Sequence, residues 1–307
     1  MNRREFIVKT AGCAALAALD IALPGLTGIK ADAGDLPDIV LAKGGPEKAT
    51  RAAVNALGGM RRFVSQGQRV VIKPNMSFPN PPEMATTTHP EVIRELVRQC
   101  VEAGASSVLV LDNPLRDIEI CLERSRLKDV CRGFKGSRLG GLKDKGSFKK
   151  VQVPGGKDLK STMVMKQVLK ADVLIAAPVA KSHSATGVSL SMKGMMGLIY
   201  NRSVFHYAMD LNSAIVDLCT ILKPSLTVID ATRILSEGGP GGPGKVITMN
   251  RVIASNDMVA ADSTAVELGT WYGKKIKASG IEHIRLAHNR GLGSMNISNM
   301  SVKEVTG

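Results

Sequence analysis

Short apolar runs, each closed by a polar or helix-breaking residue, recur along the chain. They are Asp38–Ala42, Gln68–Lys73, Ser107–Asp112, Asp172–Val179, Ser225–Asp230 and Val252–Ser255. Their apolar residues are consecutive rather than alternating, which predicts strands buried on both faces. Segments of helical spacing lie between them. Pro46–Gln66 places Ala49, Ala53, Leu57 and Met60 on one face, and Thr88 with Glu91 reads as a capping box for a helix to about Ala103. Further helices are predicted over 115–131, Leu159–Lys170, Asp210–Leu222, from Asp257 through Gly269, and in the 281–307 tail, which ends in a last strand. Gly133–Gly146 reads as a basic, exposed loop and Phe148–Val153 as an edge strand. The alternation predicts an α/β fold: a mostly parallel, doubly wound sheet with helices on both faces, as one domain or two lobes.

In such a sheet the strand ends gather at one edge, where ligands bind. Here the runs close on Lys73-Pro-Asn75, Asp112-Asn113, Lys181-Ser-His183 and Asp230. The stretch Lys181–Gly197 is the richest, with two lysines, a histidine, hydroxyl residues and glycines after a buried strand. Lys181, His183 and Asp230 are the candidate catalytic residues, because an imidazole between an ammonium and a carboxylate suits proton transfer. Lys73, Asn75, His89, Thr186 and Lys193 are candidate ligand-binding residues, and Asp112 and Asp262 candidate ligands for a divalent metal. His283 and His288 are expected at the surface. The loop Gly239-Pro-Gly-Gly-Pro-Gly244-Lys245 has the spacing of a phosphate-binding loop, but Val246 stands where Ser or Thr would hold magnesium. It is not a nucleotide loop. Gly239, Gly241, Gly242 and Gly244 still leave backbone N–H groups open to an anion.

Composition narrows the partners. Apolar residues make up 44% and aromatic residues 3%, so the core rests on aliphatic side chains and stacking platforms for nucleic acid are scarce. Nucleic acid is therefore not an expected partner. The net charge of +14 favours encounter with small anions. Arg3-Arg4, an Ala/Leu-rich stretch from Ala11 to Leu23 and Ala31-Asp32-Ala33 follow the order of a secretory signal. The arginine pair before Phe6-Ile7 resembles a twin-arginine export signal, with Asn2 where Ser or Thr is usual and Lys9 one position late. Residues 1–33 are thus read as a leader recognised by the twin-arginine export machinery, and 34–307 as a single α/β domain. Its expected location is the periplasm, with no stable membrane span after cleavage near Ala33. Cys100, Cys121, Cys131 and Cys219 form no Cys-x-x-Cys pair, so zinc ribbons and ferredoxin clusters are not indicated. Cys121 and Cys131 are left open as a disulfide.

Taken together, several motifs resemble the domain of unknown function 362 family. They are Val70–Met76, Thr87–Pro90, Lys181-Ser-His with Thr186-Gly187, Ser191–Gly197, Asp230-Ala with Glu237–Gly244, and Asn256–Asp262. The resemblance implies an α/β fold with a site built from these segments. Some relatives carry an iron–sulfur module, which the cysteine spacing here does not support, and Gly194 stands where many relatives have Asn. Two functions follow. One is a redox or metal-assisted enzyme, or a cofactor-handling accessory, acting on an anionic ligand. The other is a non-catalytic periplasmic binding protein for a small anion.

Overall fold

A computed structural model describes residues 36–307, and residues 1–33, read above as an export leader, lie outside the described residues. In chain order the elements are β1 Ile39–Lys43, α1 Pro46–Ala56, β2 Arg69–Pro74, α2 Pro90–Glu102, β3 Ser107–Asp112, α3 Ile118–Arg124, β4 Ser137–Gly141, β5 Phe148–Gln152 and β6 Ser161–Met165. They continue with α4 Lys166–Leu169, β7 Val173–Ala177, β8 Val179–His183, β9 Gly187–Ser189, α5 Ser191–Gly194, α6 Val204–Tyr207 and α7 Leu211–Ile221. The last are β10 Leu226–Leu235, β11 Val246–Ser255, α8 Met258–Leu268, α9 Glu282–Asn289 and β12 Val302–Thr306.

The main sheet runs β12-β1-β11-β10-β7-β2-β3-β4, with β8 beside β10 and β9 beside β8. Most neighbours are parallel, and the antiparallel pairs are β1–β11, β10–β11 and β8–β9. Alternate residues of the same strands enter two cores. Val70, Ile72, Val173, Ile175 and Val228 pack with α1 and α2, whereas Val71, Leu174 and Ile229 pack with α7, α8 and α9. Burial on both faces explains the unbroken apolar runs, and the fold class expected from them is the one observed.

Several element boundaries differ from expectation. α1 stops at Ala56 because Gly58 and Gly59 take positive φ. The helix expected over 115–131 is only the seven-residue α3, and Arg126 beyond it also has positive φ. The expected basic loop holds β4, which pairs with β3, so period alone missed a strand of mixed burial. Of Leu159–Lys170 only Lys166–Leu169 is helical, as α4, and the preceding Ser161–Met165 is β6, paired with β5 in a separate hairpin. Thr88 is not the cap of α2. His89 is, accepting from Glu91 N at 3.2 Å, while the Thr88 hydroxyl accepts from Asn75 N and donates to Ala177 O.

The stretch after β7 is the largest departure. Lys181–His183 is not loop but the end of β8, which hairpins into β9, and α5 follows. Pro178 makes the break between β7 and β8. It has no N–H to donate, yet its carbonyl accepts from Asp230 N at 2.8 Å. β10 therefore pairs with β7 through Leu226 and Thr227, and with β8 from Asp230 onward.

Candidate functional site

At the C-terminal ends of β2 and β3, facing β8 and α5, lies a cleft of about 220 Å³. Lys73 closes β2 and Asp112 closes β3, and Lys73 Nζ stands 3.2 Å from Asp112 Oδ1. Both side chains are buried. The Asp112 carboxylate also accepts from Asn113 N at 2.9 Å, Met76 N at 3.1 Å and, more weakly, the Ser77 hydroxyl at 3.4 Å. Gly197 covers this pair, its carbonyl accepting from Asn113 N at 2.8 Å. A Cβ there would collide with Asp112 Oδ1 and Lys73 Cε, so only glycine lets the chain pass.

Three more cations reach the same space. Lys181 Nζ donates to Thr86 O at 2.7 Å and Pro240 O at 3.2 Å, and stands 5.1 Å from the centre of the Phe78 ring. Burial pushes its ammonium down to about 7, with Lys73, Lys193 and Arg202 adding to the effect and Asp112 opposing it. Lys193, on α5, makes no hydrogen bond or ion pair among the described residues, and burial with the Arg202 charge lowers it to about 8. Arg202 is aimed inward by Asn113, whose carbonyl accepts from its guanidinium and whose side-chain amide holds Ile199 O and Tyr200 O. Burial also lowers Lys73.

Two imidazoles line the same cleft. His183 Nδ1 accepts from Ala185 N at 3.2 Å, which leaves the proton of the neutral ring on Nε2. Its ring stacks on His206, centroids 6.3 Å apart and planes 14° from parallel. Burial first, then the Lys193 charge, pushes His183 down to about 3, and burial lowers His206 as well. Both rings are therefore neutral near pH 7. The cleft thus sets Lys73, Lys181, Lys193 and Arg202 against a single carboxylate, with neutral imidazoles beside them. That arrangement can hold an anion and pass it a proton.

Residues 70–267 match the family described as "Domain of unknown function (DUF362)". The chain belongs to the DUF362 family. Among curated proteins it is similar to the thylakoid-associated protein sll1697 of Synechocystis sp., 24% identical over 234 residues that cover 71% of this chain and 68% of the relative. Among solved structures it is similar to the lactate racemase apoprotein of Thermoanaerobacterium thermosaccharolyticum, with a TM-score of 0.49 and 12% identity. The chain is covered over 76% of its length there and spans 59% of that protein.

The residues singled out in the sequence divide between two places. Lys73, Asn75, Asp112, Lys181, His183 and Lys193 line the cleft. The others named from sequence do not. Asp230 accepts from His89 N at 2.8 Å, Thr232 N at 3.1 Å, the Thr232 hydroxyl at 2.6 Å and Arg233 at 3.1 Å. It ties α2 to β10. Thr186 donates to Val188 O within the β8–β9 turn. Asp262 accepts from Ser191 N at 2.9 Å, its hydroxyl at 2.6 Å and Met192 N at 3.0 Å, and so caps α5 from α8. The two carboxylates read as metal ligands are thus bonded to separate sets of donors. Among the described residues no three His, Cys, Asp or Glu side chains come together to hold a metal ion, and the four cysteines are free thiols.

In the glycine loop, Gly239 N donates to the Ser182 hydroxyl and Gly242 N to Gly238 O, so these N–H groups are engaged within the protein. The loop's contribution to the cleft is Pro240. His283, expected at the surface, is buried, with Nδ1 3.3 Å from Asn212 Oδ1. Arg202 and His206 carry no sequence signal of their own. The Asn113 bonds to the 199–202 segment bring in Arg202, and the stack on His183 brings in His206.

Proposed function

We propose that the cleft of this DUF362 protein binds a small anion and that His183 and Lys181 move a proton at it. The observation that carries the reading is Lys193, a buried ammonium without a partner among the described residues, facing a space that already holds three other cations and one carboxylate. Burying a charge without a counter-charge is costly unless something else supplies it, and an anionic ligand does. The neutral, stacked His183–His206 pair favours an enzyme or a cofactor-handling accessory over simple capture, because capture needs no titratable ring beside the lysines. The basic twin-arginine-like leader at 1–33 supports action outside the inner membrane.

Calorimetric titration of the full chain with inorganic phosphate, sulfate and succinate tests the binding. Repeating it in buffers of different ionisation enthalpy tests the proton transfer. Binding with proton uptake between about pH 7 and 9 is expected, since an anion restores the charge of lysines depressed by burial. Binding without proton uptake would leave a capture protein, and no binding by these three or by phenyl phosphate or hexanoate would overturn the reading. Export is tested by fractionating cells that carry Arg3→Lys with Arg4→Lys, which should retain the precursor inside.

A further inference from the structure

The cleft has two unlike halves. Its inner end holds the lysines, while Phe78, Leu115, Met196 and Tyr207 bring apolar surface to it. Leu115 and Tyr207 are the two most exposed large apolar side chains among the described residues, 54% and 88% exposed. One exposed leucine or tyrosine is ordinary on a protein surface. Finding the two most exposed on the rim of the same cationic cleft is what points to a ligand.

Both lie beside anchored residues in the chain. Leu115 follows Asp112-Asn113-Pro114, where Asp112 and Asn113 are fixed by the bonds described above. Tyr207 ends the single turn α6, in which Phe205 is buried in the core and acts as the anchor. Phe78 joins the two halves, since its ring faces the Lys181 ammonium. Gly241 leaves room for that ring, because a Cβ there would stand 3.0 Å from it. A cleft of about 220 Å³ houses a charged head group, and any longer apolar part must lie across the rim.

From this we infer that the ligand is an amphiphilic organic anion: a phosphate or carboxylate head among the lysines, with an aliphatic or aromatic part over Leu115 and Tyr207. The inference rests on the anion-binding reading above and narrows it from inorganic ions to organic ones. Such an anion could be free in solution or presented at a lipid surface, and the chemistry recognised is the same.

Titration of the full chain compares inorganic phosphate with phenyl phosphate and hexyl phosphate, and acetate with hexanoate. The apolar member of a pair should bind about tenfold tighter or more than its bare counterpart, as burial of several carbon atoms requires. In a Leu115→Ser, Tyr207→Ser double variant that ratio should fall towards one. Both positions are exposed, so the fold is not at stake. Equal affinities within each pair, or a ratio that survives the double substitution, would overturn the inference while leaving anion binding intact. If neither bare nor apolar anions bind, the parent reading falls with it. Vesicles of phosphatidic acid, set against monomeric hexyl phosphate, then separate a lipid source from a soluble one.

Discussion

Two sets of buried polar side chains share the C-terminal edge of this sheet and its flank, and they are satisfied in opposite ways. Asp230 and Asp262 accept four and three hydrogen bonds, all from the protein. Lys193 accepts no company at all among the described residues, and Lys181 is neutralised by nothing closer than two carbonyls and an aromatic ring. All are conspicuous in the sequence as polar residues near apolar runs. The difference teaches that saturation, not position, separates groups that build the fold from groups left open to a ligand of the kind proposed.

The sharpest way to break this comparison is to remove a saturated carboxylate. Asp262→Ala strands Ser191 N, its hydroxyl and Met192 N, and should cost about 4 kcal/mol by denaturant unfolding. A loss below about 1 kcal/mol would mean Asp262 is not structural. Burial raises the Asp262 carboxyl from 3.8 to about 7, against the pull of its Ser191 bonds. Its folded value exceeds its unfolded one, so its contribution is full below 3.8 and lost as pH rises through about 7. Asp262→Asn should flatten that decline.

Removing an unsatisfied cation should do the reverse. Lys193→Met is expected to weaken anion binding about 100-fold, a loss of about 2.7 kcal/mol, while the unliganded chain melts at the same temperature or higher. A melting temperature that falls with affinity unchanged would exchange the roles of the two sets.

A pH series gives a third, smaller effect. Burial holds Lys181 and Lys193 at about 7 and about 8, below their ordinary 10.5. Folded values below unfolded ones mean that their contribution to stability is present above 10.5 and lost as pH falls through about 8 and about 7. The unliganded chain should therefore gain stability with rising pH in that window. Phosphate affinity should fall, by about tenfold between about pH 6 and 9, because the ammonium charges that hold it are lost. The smallest change expected is His183→Gln, whose amide oxygen can still accept from Ala185 N. Anion affinity should move less than about threefold, whereas any proton transfer on the bound ligand should disappear.

Much of the frame was legible. Consecutive apolar residues in β2, β3, β7 and β10 announced strands buried on both faces, and their closing residues marked the edge where the cleft lies. Lys73, Asp112 and Lys181 stand out that way, and Lys193 through the polar stretch that follows Lys181. What pattern could not show was hydrogen-bond partnership. Asp230 looks like Asp112 in sequence, since each ends an apolar run, yet its acceptors are spent on His89, Thr232 and Arg233. β6 was read as helix because Ser161–Met165 is short and only partly buried, and its pairing with β5 is a tertiary fact. Arg202 and His206 lie in the segment between α5 and α7, where no period exists to read.

Four cations packed around one carboxylate also bear on how long the protein lasts in a cell. Their mutual repulsion favours opening of the empty chain, and the anion proposed above would bind the folded form alone. At a hundred times its dissociation constant such a ligand adds about 2.7 kcal/mol to the unfolding free energy. Opened chains are what proteases cut, so supply of the anion would set the protein's abundance as well as its occupancy.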